Sequence, residues 1–206
     1  MIKISSVSMQ EKDKTKCNIF VNNEYFCSLS LECVVKYAIK EGAEFQEIVF
    51  NDIKLEDEIQ LALRKAKNYI AKSLKTKMQV ITYLKGKGFS GKVIFEVVEK
   101  MLEYGYINDV EFAKAFLESN VTLGKRLADY KLMQKGVKKE DIESAREMIE
   151  DKSLDSCIRL AEKRLKNKEI TKELIQKTYK YLIGRGFSYE ESEKAVANYM
   201  NNIEDF

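Results

Sequence analysis

Between Ile59 and Phe95 the chain holds nine basic residues and no acidic one: Arg64, Lys65, Lys67, Lys72, Lys75, Lys77, Lys85, Lys87 and Lys92. Such side chains pair with phosphates or carboxylates through charge-assisted hydrogen bonds. A field of one sign on one module draws polyanions or an acidic protein face. The rest of the chain sharpens the contrast. Residues 1–60 carry 7 basic and 11 acidic groups, net −4; residues 61–140 carry 17 and 8, net +9; residues 141–206 carry 12 and 14, net −2. Exposed bases in the basic region are the candidate binding residues: Lys72, Lys75, Lys77, Lys85, Lys87, Lys92, Lys125, Arg126, Lys131 and Lys135. Taken singly, each lysine reads as a solvated helix face; taken together they point to an acidic or polyanionic partner. Aromatic residues are interleaved with them, at Tyr69, Tyr83, Phe89, Tyr104 and Tyr106. Tyr69 and Phe89 fall on apolar positions, which leaves Tyr83 and Tyr130 as the weaker candidates for stacking on bases.

Other chemistries lack their residues. The chain has no histidine, which removes imidazole metal sites and most triad chemistry. No phosphate-cradling GxxxxGK[ST] loop is present. Cys17, Cys27, Cys33 and Cys157 have no metal-type spacing and read as reduced thiols of a cytosolic protein. No apolar run reaches membrane-span length, and the start lacks the apolar stretch of a secretory signal. The expectation is a cytoplasmic, monomeric, non-enzymatic protein with no cofactor and no membrane association.

The elements that position the bases are signalled by glycine. LKGKGFS at 84–90 returns as LIGRGFS at 182–188, and LMQKGV at 132–137 is a weaker copy. Gly88, Gly136 and Gly186 are placed just past a helix end, in the left-handed conformation glycine adopts without steric penalty. Each then calls for a contact between the next residue and one five positions earlier: Phe89 with Leu84, Val137 with Leu132, Phe187 with Leu182. Ser90 and Ser188 follow as N-caps, and Ser188 with Glu191 and Thr76 with Gln79 have capping-box spacing. The glycines are 48 and 50 residues apart, a period that signals repeat architecture.

Each repeat contains three helical patterns. The first repeat carries Ile59, Ala62, Leu63, Ala66, Tyr69 and Ile70, then Met78, Ile81 and Leu84, then Val93, Ile94, Val97, Val98, Met101 and Leu102. The second opens at Asn108 and carries Phe112, Ala113, Phe116 and Leu117, then Leu127, Tyr130 and Met133, then Ile142, Ala145, Met148 and Ile149. The third carries Leu154, Ile158, Ala161 and Leu165, then Leu174, Thr178 and Leu182, then Ala195, Val196 and Tyr199. Apolar stripes of this kind are core. Ahead of them, Ile2, Ile4, Val7 and Met9 suggest a strand, CNIFV and EYFCSL flank Asn22-Asn23 as a hairpin, and a short helix follows over roughly 30–40. The expected fold is mainly α: three tandem three-helix repeats in a curved, elongated solenoid, after a small N-terminal β-hairpin element. The expected divisions are 1–56 for the β-rich element and 57–105, 106–151 and 152–206 for the repeats.

These motifs carry a resemblance. LKGKGFS, YGYINDVEFAKAF at 104–116, GKRLADYKLMQKGV at 124–137 and YLIGRGFSYEE at 181–191 are similar to the RecX family, bacterial regulators of the RecA recombinase. The chain departs from the family pattern at Asn120, often basic, at Lys131, often acidic, and at Ser192, usually apolar. The resemblance implies a protein lodged in the helical groove of the RecA filament on single-stranded DNA, limiting its growth, ATP hydrolysis and strand exchange. It implies the RecA filament as partner, with single-stranded DNA as a further one.

Two other functions remain open on the residues alone. A direct DNA binder using a basic helical surface would hold DNA without a recombinase, with a steep salt slope. Lysine outnumbers arginine, which suits that reading poorly, because arginine is the better bidentate reader of bases. A helical scaffold for an unrelated partner would bind neither.

Overall fold

In the computed structural model, residues 1–204 are described, without the side chains of Asn198 and of residues 201–204. The chain opens with β1 (Ile2–Met9), β2 (Lys16–Val21) and β3 (Glu24–Ser30), followed by α1 (Leu31–Lys36) and the two-residue β4 (Glu44–Phe45). These strands form one antiparallel sheet in the order β3-β2-β1-β4. The hairpin turns at Asn22 and Asn23, whose φ angles of +53° and +62° match the twist of the strands they join. The element is larger than a hairpin, because β1 pairs with both β2 and β4.

Among the described residues nine further helices follow: α2 (Glu47–Ile70), α3 (Lys77–Gly86), α4 (Gly91–Glu103), α5 (Asp109–Ser119), α6 (Lys125–Gln134), α7 (Lys139–Glu147), α8 (Ser153–Leu165), α9 (Lys172–Gly184) and α10 (Tyr189–Glu204). The chain divides into two compact units, residues 1–72 with 81–104 and residues 73–80 with 105–206, so that the division passes through α3.

In the first unit the sheet closes over Ile4, Cys17, Ile19 and Leu29, joined by Phe50 and Ile53 from the start of α2. Phe50 lies 5.6 Å from the rings of both Phe26 and Phe45. The expected division at 56/57 therefore falls inside α2, whose first turns cover the sheet while its later turns pack on α4. Ala62, Ala66, Leu84, Val93, Val97 and Met101 are fully buried.

In the second unit, α5, α6 and α7 bury Ala113, Leu117, Ala128, Leu132, Val137, Ile142 and Ala145. Helices α8, α9 and α10 bury Cys157, Ala161, Ile175, Leu182, Phe187, Ala195 and Val196. Four expected core positions are instead exposed: Met133 (49%), Tyr130 (54%), Met148 (59%) and Leu154 (37%). Met78, expected on the α3 stripe, is also half-exposed while Val80 is buried. In α6 the core takes the small Ala128 rather than the large Tyr130. In α8 it takes Cys157 rather than Leu154. Ser192 is fully buried, and its hydroxyl donates to the Ser188 carbonyl one turn back at 2.8 Å, which satisfies the polar atom.

Candidate partner-binding surface

The glycine corners share one geometry. Gly88, Gly136 and Gly186 have φ of +84°, +86° and +92°. Phe89 N–H donates to the Leu84 carbonyl at 3.3 Å, Val137 N–H to Leu132 at 3.2 Å, and Phe187 N–H to Leu182 at 3.3 Å. These are Schellman closures, and they use carbonyls that the helix end would leave unpaired. After the Gly88 corner the Ser90 hydroxyl accepts from the Val93 amide, and after the Gly186 corner Ser188 and Glu191 exchange bonds of 2.7 and 3.1 Å, whereas α7 after Gly136 has no side-chain cap. Helix α3, ahead of the first corner, opens on Thr76 and Gln79, which exchange two bonds of 3.1 Å.

In the first unit the corner presents bases on both sides. Lys85 leaves the last turn of α3, Lys87 follows it, and Lys92 stands in the first turn of α4; all three are exposed, as is Lys72 beyond α2. Among the described residues Lys72, Lys85 and Lys92 have no ion-pair partner, as expected of a stretch without acids. The Lys87 ammonium lies 5.5 Å from the centre of the Tyr83 ring. Tyr83 is itself stacked face to face on Tyr69, with centroids 4.2 Å apart and planes 3° from parallel. On sequence Tyr83 is a weaker candidate for stacking on a base; one of its faces is covered by Tyr69, and that face is not available for stacking.

In the second unit the remaining candidates divide by what their atoms do. Lys131 is exposed on α6 and Lys125 is exposed at its first position. Lys75, Lys77 and Lys135 are half-buried. Lys75 donates to the Ser73 hydroxyl, the Lys77 amide donates to Asp109 at 2.8 Å, and the Lys135 carbonyl accepts from the Thr76 hydroxyl at 2.6 Å. Burial raises the Asp109 carboxyl above its ordinary range, against the opposing pull of the Lys77 amide. Arg126 is exposed, but its guanidinium donates to the Ile183 carbonyl at 2.8 Å. Arg126 is thus a fastener between the start of α6 and the end of α9.

That fastening is extensive, and the sequence gives no sign of it. Gly124 N–H donates to the Arg185 carbonyl at 3.0 Å, and Arg126 N–H to Gly186 at 3.2 Å. The Arg185 guanidinium in turn donates to the Thr122 carbonyl and hydroxyl at 2.8–3.1 Å. The approach is so close that a Cβ on Gly124 would lie 2.1 Å from the Phe187 nitrogen, and one on Gly186 2.4 Å from the Leu127 nitrogen. Asp129, the one acid of α6, is paired with Arg146 of α7.

No group of three or more Cys, Asp or Glu side chains among the described residues is arranged to hold a metal ion. No helix among them is long and apolar enough to cross a membrane. The cysteines are free thiols; burial pushes Cys33 up to about 12 and Cys157 up to about 11.

Comparison with known proteins agrees with this architecture. Family models described as the regulatory protein RecX N-terminal domain, the first RecX three-helix domain and the third match residues 2–46, 62–101 and 150–196. The regulatory protein RecX of Clostridium tetani (strain Massachusetts / E88) is 31% identical over 205 residues, 95% of this chain and 93% of that one. That of Listeria welshimeri is 31% identical over 209 residues, 98% of this chain and 78% of that one. A crystal structure of regulatory protein RecX superposes with a TM-score of 0.70 at 20% identity, over 94% of this chain and 98% of that one. One of RecX from Lactobacillus salivarius gives 0.64 at 23%, over 70% and 97%. A sheet followed by glycine-cornered helices, on a chain 31% identical to these regulators along nearly its whole length, places the protein in the RecX family of regulatory proteins.

Proposed function

We propose that the protein binds the RecA recombinase filament on single-stranded DNA and restrains it, limiting filament extension, ATP hydrolysis and strand exchange in recombination and the SOS response. The observation that carries this reading is the acid-free basic stretch, with Lys72, Lys85, Lys87 and Lys92 exposed on a chain of this family. Restraint of this kind needs occupancy rather than bond-making, and the protein acts without catalysing a reaction. The lysines pair with acidic groups of the recombinase or with phosphates of its bound strand. An ammonium suits that task because it is a point charge with no demand for a planar partner.

Co-sedimentation with RecA filaments on single-stranded DNA, beside a titration of the same DNA alone, tests the reading. The protein is expected in the filament pellet. Lys85→Glu with Lys87→Glu should weaken that binding about tenfold or more, since each reversal replaces an attraction with a repulsion. Equal affinity for DNA with and without the recombinase would instead make the protein a direct DNA binder.

A further inference from the structure

Helix α6 has two apolar faces, and its own unit covers one of them. Ala128 and Leu132 point into the core and are 2% and 0% exposed. Tyr130 and Met133 project from the opposite side. They share that side with Arg126, at the i, i+4, i+7 spacing that aligns side chains along one face of a helix. The Tyr130 hydroxyl accepts from Gln134 at 2.7 Å, which holds the ring along the helix surface. Half-exposed Met78 stands just past the C-terminal end of the helix, where a Cβ on Gly136 would lie 2.2 Å from the Met78 Cβ.

The free charge on α6 is basic, and the acid nearest Met78, Asp109, is half-buried and accepts from the Lys77 amide at 2.8 Å. Lys125 and Lys131 are exposed beside the outer face, and the only acid of α6, Asp129, is taken by Arg146. An apolar centre with a basic rim, on a helix whose carboxylate is already neutralised, is complementary to a segment bearing acids around apolar side chains. Methionine marks the partner as protein. Thioethers adapt to irregular apolar side chains, whereas bases stack on aromatic rings, and this face carries a single ring.

We infer that the outer face of α6, centred on Tyr130 and Met133 with Met78 at its end, docks an acidic, apolar-faced segment of the recombinase. The inference rests on the function proposed above and specifies one contact within it. The basic corner around Gly88 supplies long-range attraction, and this face supplies the packed contact that holds the complex.

The test is a filament co-sedimentation isotherm with Tyr130→Ala and Met133→Ala combined. Both side chains are exposed and alanine is the best helix former, so the urea midpoint should hold. The expected result is an affinity for the filament weaker by about tenfold or more, the scale of a central apolar anchor, with binding to single-stranded DNA alone unchanged. Lys131→Glu should weaken filament binding in the same direction and stands in should the double variant be destabilised. Wild-type filament affinity in these variants overturns the inference and leaves the proposed function intact. A parallel loss of DNA binding also overturns it, by making the face a nucleic-acid platform. A wild-type chain that ignores the filament overturns the proposed function, and the inference with it.

Discussion

Gly88, Gly136 and Gly186 share a positive φ but differ in what surrounds them. A Cβ on Gly88 meets nothing within 4 Å; one on Gly136 meets the Met78 Cβ at 2.2 Å; one on Gly186 meets the Leu127 backbone nitrogen at 2.4 Å. Gly88→Ala should therefore cost only the left-handed backbone penalty, about 1 kcal/mol. Gly136→Ala and Gly186→Ala add steric displacement of about 1–3 kcal/mol, larger for Gly186 because backbone cannot swing aside. Urea midpoints falling in the order Gly88, Gly136, Gly186 check this; three equal losses would contradict the steric part. The thiols give a second test at this scale. Burial raises the thiols of Cys27, Cys33 and Cys157 alike, so access rather than acidity separates their reactivity. A disulfide reagent at pH 8 should modify half-buried Cys27 first and the buried Cys17, Cys33 and Cys157 only as fast as the fold opens.

At the scale of elements, caps and corners were legible because they are local: a glycine, the residue after it and a serine determine each of them. The capping boxes at Thr76 and Ser188 form as their spacing demands. The face of α6 was not legible, since Leu127, Tyr130 and Met133 look like a stripe by size while the core selects Ala128 and Leu132. Small side chains are chosen where helices approach closely, and only the partner helices reveal where that is. The same cause hides Cys157 behind Leu154 in α8. Strand β4 escaped notice because two residues carry no alternation. The joint between the α5–α6 turn and the α9–α10 corner was invisible for another reason: it uses backbone groups some sixty positions apart in the chain. Arg185 holds that joint through Thr122. Arg185→Ala should cost about 1–2 kcal/mol. It should also speed hydrogen exchange at the Gly124 and Arg126 amides while leaving α4 protected. Unchanged exchange at those two amides would show that the backbone contacts hold without it.

For the whole molecule, the candidate bases turn out to do two kinds of work. Lys72, Lys85, Lys87, Lys92, Lys125 and Lys131 present charge to solvent, whereas Arg126 and the backbone of Lys77 and Lys135 hold helices together. Sequence counts the charges correctly but cannot separate these roles, because both need only a base near a helix end. The charge that remains at the surface, with the family the chain belongs to, supports a regulator that works by occupying a filament. The most direct test is the ATPase rate of RecA on single-stranded DNA with this protein titrated in. The rate should fall steeply at amounts too small to cover the DNA, as expected of a protein that lodges in the filament. A rate unchanged up to equimolar protein would contradict the central claim.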